Sequence, residues 1–144
     1  MLDQKESYIL RTGAAWPGKA DLNNIKSIGD IFSGAQFVWP FAKATITKDY
    51  IKIEGSIFGL FWKEYKLGKS DIADIEVGIS FETYRSAGLS WGKKLVLVIT
   101  PNNKITFPRL LYFVLSYNDL KEIRNFGYLI KGDPSKKISL PRVF

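Results

Sequence analysis

Residues 44–77 constrain this chain more than any other stretch. Ala44-Thr45-Ile46-Thr47 alternates small or apolar residues with polar ones, and Tyr50-Ile51-Lys52-Ile53-Glu54 repeats the alternation. A period of two puts alternate side chains on opposite faces, which a half-buried strand needs and a helix cannot use. Lys48-Asp49 between the two runs has the length of a tight hairpin connection, although it lacks the Gly that a type I′ turn prefers. A third strand is predicted over 58–67. Gly68-Lys69-Ser70-Asp71 then turns into Ile72-Ala73-Asp74-Ile75-Glu76-Val77. The result is an antiparallel meander, and it contains no chemistry.

The length of 144 residues fits one domain, since domains commonly run to roughly 100–150 residues. A hydrophobic fraction of 46% is enough for a full core, and an aromatic content of 15% with many Val, Ile and Thr favours sheet over helix bundle. There is no cysteine, so disulfides and thiolate metal sites are excluded. There is no histidine either. That removes the usual general base near neutral pH, the Ser-His-Asp triad and most zinc sites. The charged start Met1-Leu2-Asp3-Gln4-Lys5-Glu6 has no signal-peptide core, and the longest apolar runs, 110–115 and 57–62, fall far short of the roughly 20 residues that span a bilayer. A cytoplasmic protein is expected, with peripheral membrane association left open.

Along the chain, Ser7-Tyr8-Ile9-Leu10 reads as a short edge strand. Asp21 as N-cap, Leu22, Ile25, Ile28 and Phe32 at helical spacing and Gly34 as stop predict a helix over 22–33. Pro40, inside Phe37-Val38-Trp39-Pro40-Phe41, is compatible with a strand start or edge but not with a central ladder. Lys94-Leu95-Val96-Leu97-Val98-Ile99-Thr100 is the strongest strand signal, and its unbroken apolar run suggests burial on both faces. Pro101-Asn102-Asn103 turns toward a hairpin partner in Lys104-Ile105-Thr106-Phe107, while 110–115 is ambiguous between strand and helix. A closing helix is predicted over 118–126, capped by Ser116 or Asn118 and stopped by Gly127, with Leu120, Ile123 and Phe126 as its docking stripe. One domain thus covers 1–131, with an N-terminal extension over 1–43. Residues 132–144, with Lys136-Lys137 and Arg142, read as a flexible basic tail.

A strand-rich meander closed by one C-terminal amphipathic helix resembles the pleckstrin-homology (PH) type of barrel. Ala44-Thr45-Ile46-Thr47 with Tyr50-Ile51-Lys52-Ile53, and Tyr65-Lys66-Leu67-Gly68-Lys69-Ser70-Asp71-Ile72-Ala73-Asp74-Ile75, are similar to stretches of its GRAM and bacterial PH-like branches. Val96 to Ile99, Ile105-Thr106-Phe107 and Leu120 to Gly127 fit the remaining hairpin and helix. The resemblance implies a mainly β fold: an antiparallel PH-like barrel or sheet pair, closed by a C-terminal helix, with the extra N-terminal helix added. It implies a non-catalytic interaction module with no cofactor. It carries no inositol-phosphate site across, because the turn Lys48-Asp49 holds an acid and no basic cluster.

Asp71 with Asp74 is the nearest thing to an acid–base pair, and both fit turn chemistry better. Gly55-Ser56-Ile57-Phe58-Gly59 lacks the lysine and spacing of a phosphate loop, so an enzyme is not expected. The net charge of +7 suits anionic partners, although it also serves solubility. The best surface candidate is the loop holding Arg85, Trp91, Lys93 and Lys94, where an interfacial aromatic sits beside three cations. A protein partner or an anionic phospholipid surface is therefore expected. The alternatives are a single-stranded nucleic-acid binder, opposed by the absence of aromatic–basic alternation on one strand face, and a carrier of a small apolar ligand. Ile57-Phe58-Gly59-Leu60-Phe61-Trp62 is apolar on both faces, so one face must be covered by the N-terminal segment, a ligand or a second subunit, which leaves a homodimer open.

Overall fold

The alternating runs of the sequence become strands of one sheet in a computed structural model, which describes residues 6–16, 35–57, 61–80, 94–105 and 110–138. The elements are β1 (Tyr8–Trp16), β2 (Ala35–Ile46), β3 (Tyr50–Ile57), β4 (Phe61–Gly68), a 3-10 turn at Lys69–Asp71, β5 (Ile72–Ser80), β6 (Lys94–Pro101), β7 (Leu111–Val114), α1 (Tyr117–Asn125) and β8 (Lys131–Lys137). The expected helix over 22–33, the residues Thr106 and Phe107, and three of the four candidate site residues lie outside the described residues.

The strands form a single eight-stranded sheet in the order β4-β3-β2-β1-β7-β6-β5-β8. The fold is mainly β, as expected. It is neither a closed barrel nor a pair of sheets, which corrects the finer expectation. The outer edge of β5 is occupied by β8, so β4 does not close onto it. That last pairing is also parallel, whereas every other neighbour pair is antiparallel.

Two further expectations are corrected. The strand at Tyr8 is not short: β1 runs on to Trp16, pairing with β2 along its length and with β7 at Ala14 and Ala15. Of the tail expected over 132–144, residues 132–137 are not loose but belong to the edge strand β8, held by Lys131 Nζ on Asp74 Oδ1 at 3.0 Å and by Ile138 N–H donating to Ile79 O at 2.9 Å, and residues 139–144 lie outside the described residues. Gly132, at φ +90°, passes under β5 where an added Cβ would stand 2.4 Å from Val77 O. The polarity of this segment reflects an exposed edge, not disorder. Pro40 does sit within a central strand. The ladder jumps from Thr12↔Ala42 to Ala14↔Phe37, so the proline falls in an irregularity that spares the sheet its missing N–H.

One face of the sheet carries the core. Ala44, Ile46, Ile51, Ile53, Leu67, Ile75, Val77, Leu97, Ile99, Leu111 and Phe113 bury there with Leu120 and Ile123 of α1. The unbroken apolar run of β6 is buried on both faces as predicted, since Val96 packs with Tyr112 on the reverse side. The ambiguous segment 110–115 resolves as a strand, and it rather than Lys104-Ile105 pairs with β6. Ser116 is the cap of α1: its Oγ accepts from Asp119 N–H at 3.1 Å, and Asp119 Oδ2 accepts from Ser116 N–H at 2.8 Å. Gly127, at φ +89°, ends it. Two tyrosines then fasten the helix region to the sheet. Tyr8 donates to Asp119 Oδ1, and Tyr128 donates to Thr47 O at 2.7 Å. Among the described residues no helix is long and apolar enough to cross a membrane.

Candidate functional site

Of the candidate cations and aromatics, Lys94 is placed by the structure, while Arg85, Trp91 and Lys93 lie outside the described residues. Lys94 opens β6 opposite Ser80, the last residue of β5. Ser80 and Lys94 therefore mark this one end of the sheet. The antiparallel ladder of β5 and β6 fixes that geometry, because Ile79↔Leu95 and Ser80↔Lys94 are its final rungs.

The tertiary fold brings further cations to the same end. Arg11 of β1 shares with Lys94 an open cleft of about 350 Å³, whose other walls include Thr12, Gly13, Val114 and Leu115. Both cations are exposed. Lys137 of β8 stands beside Ile79, one rung from Ser80 and Lys94. Lys136 precedes it on the exposed edge.

The floor of this cleft is chemically satisfied. Thr12 is buried and its hydroxyl donates to Val114 O. Ser116 and Asp119, which also line the cleft, are committed to the helix cap, and Asp119 accepts from Tyr8 as well. What the site offers a ligand is exposed positive charge on a rigid sheet end. Such groups attract phosphate oxygens or carboxylates by charge and hydrogen bonding.

A larger open cleft, about 750 Å³, lies at the β2–β3 turn against the end of α1, lined by Lys48, Asp49, Tyr50, Glu122, Asn125 and Phe126 among others. With Glu6 also present it carries more acid than base, the wrong sign for an anionic ligand. The two aspartates weighed as an acid–base pair have separate duties. Asp71 Oδ2 accepts from Gly68 N–H at 3.1 Å, and Asp74 pairs with Lys131. Among the described residues no group of three or more Asp or Glu side chains is placed to hold a metal ion.

Arg11 was not legible as a site residue. Its one signal is the parity of β1, where Ile9 and Arg11 are exposed while Leu10 and Thr12 are buried. Lys136 and Lys137 stood out only as tail charges, because their parallel pairing with β5 is invisible in sequence. No family model, curated protein or solved structure gives a significant match to the chain.

Proposed function

We propose that this chain is a non-catalytic, PH/GRAM-like interaction module that docks on an anionic phospholipid surface through the end of the sheet bearing residues 81–94. The observation that supports it is that Arg11 and Lys94, from two different strands, share one open cleft at the sheet end formed by Ser80 and Lys94. The PH-like relation is part of the same reading. Its support is a meander followed by a helix whose Leu120 and Ile123 enter the core shared by β2, β3, β5, β6 and β7.

The energetics fit weak, salt-sensitive docking. Each cation near an anionic leaflet is worth roughly 1 kcal/mol, screened over about 8 Å at physiological salt, and Trp91 supplies an interfacial anchor. In flotation with phosphatidylserine–phosphatidylcholine vesicles at low salt, the triple change Arg85→Gln, Lys93→Gln, Lys94→Gln abolishes binding, and Trp91→Ala weakens it at every ionic strength. Arg11→Gln, which removes the other cation of the cleft, lowers partitioning by on the order of fivefold. If the unmodified protein ignores these vesicles at low salt, the membrane reading fails and a protein partner takes its place.

A further inference from the structure

The two edges of the sheet are guarded unequally. β8 carries Pro134 and pairs with β5 through a register shift, features that keep an edge from pairing with another chain. β4, at the other end, has no proline and pairs with β3 through eight consecutive rungs without a bulge. Among the described residues no strand lies along its outer side.

The direction of its backbone groups follows from one hydrogen bond. Lys69 N–H donates to Asp49 O across the hairpin at 2.7 Å. In an antiparallel ladder, alternate residues turn both N–H and C=O toward the same neighbour. The odd-numbered residues of β4 thus face β3, and the even-numbered ones face outward. Gly68 conforms, since its N–H turns away from β3 to the Asp71 carboxylate. The main-chain groups of Glu64 and Lys66 are therefore presented at the open edge.

The side chains of these residues are opposed by like charges within the chain. Glu64 stands opposite Glu54, and Lys66 stands opposite Lys52. Like charges in directly opposed positions are unfavourable. Glu54 is answered by Lys43 Nζ at 3.0 Å, and the Lys66 ammonium lies 4.2 Å from the Tyr50 ring centroid. From β3, Glu64 receives no opposite charge on its own rung.

We propose that β4 is a self-association edge, on which β4 of a second copy of this chain docks antiparallel about a twofold axis through Tyr65. In that register Glu64 of each copy opposes Lys66 of the other, twice by symmetry. The residues brought opposite one another are the even-numbered ones, whose N–H and C=O groups already face outward, so the ladder continues across the axis. Moving the axis to Glu64 sets Glu64 on Glu64, and moving it to Lys66 sets Lys66 on Lys66. The strand's own charges thus select the Tyr65-centred register over its two nearest alternatives. The occupant is a second copy because the pattern is complementary to itself.

Sedimentation equilibrium of the full chain tests this. The unmodified protein sediments at twice its 16.4 kDa chain mass. Glu64→Lys and Lys66→Glu each create two like-charge pairs across the axis while relieving a like-charge pair with β3, so each folds and weakens self-association by on the order of tenfold or more. Mixing the two single variants restores the dimer, because each then opposes the other with unlike charges. A wild type that stays monomeric at high concentration, single variants that remain as dimeric as wild type, or a mixture that stays monomeric would each overturn the proposal.

Discussion

The docking of α1 on the sheet is tested most directly by Ile123→Ala. Ile123 is fully buried in the main core, among residues drawn from both halves of the sheet. The substitution removes three carbon atoms, worth about 2.4 kcal/mol of transfer free energy at roughly 0.8 kcal/mol each. The surrounding strands are held by their ladders and cannot fully collapse on the gap, so a cavity term adds to this and the expected loss is about 2–5 kcal/mol. The helix itself contributes little to the difference, because alanine is the better helix former. Urea unfolding followed by tryptophan fluorescence measures the loss as a lower midpoint at unchanged slope. Leu129→Ala is the control. Leu129 is 84% exposed, and its truncation changes stability by less than about 0.5 kcal/mol. A change that small for Ile123→Ala would refute the docking and leave the sheet's inner face uncovered by α1.

Two other outcomes follow from the edge strand and from the tyrosines. Gly132→Ala places a Cβ against Val77 O at a positive φ, a strain of roughly 1–2 kcal/mol before the clash, so β8 peels from β5. Hydrogen exchange then speeds up at the β8 amides and stays unchanged in α1; equal protection in both proteins would mean that β8 is not held as described. In Tyr128, burial and then the Asp49 charge push the hydroxyl up to about 12, and in Tyr8, burial and then the bond to Asp119 do the same. Both folded values lie above the ordinary value near 10, so this stabilisation is complete below pH 10 and is lost as pH rises toward about 12. Phenolate absorbance should show Tyr8 and Tyr128 titrating late in the folded protein, with Tyr65 raised in the same direction by burial; uniform titration of all seven tyrosines near 10 would contradict the two anchoring bonds.

Local alternation and capping are properties of neighbours in the chain, and those parts of the molecule were readable from its residues. The hairpin 44–54 appears as β2 and β3, the doubly apolar run after Lys94 as β6, and the stripe Leu120–Ile123 as the buried side of α1. Ser116 won over Asn118 as cap because Asp119, three residues after Ser116, closes a reciprocal pair of hydrogen bonds. Candidate site residues were legible only as a local mixture of Trp, Arg and Lys.

Pairing between distant segments leaves almost no local trace. The local pattern marks only the start of β1, while its continuation to Ala14 and Ala15, where it lies between β2 and β7, depends on strands roughly 30 and 100 residues away. The polar composition of β8 suits an exposed edge strand and a solvated tail equally. What separates them is tertiary: the space beneath Val77 O that Gly132 fills, and the carboxylate of Asp74 that meets Lys131. The same long-range pairing sets Arg11 on one cleft with Lys94, and keeps β4 from closing the sheet by giving the outer edge of β5 to β8. Residue order along the chain determined which segments are strands; the competition among their edges for backbone partners determined their arrangement.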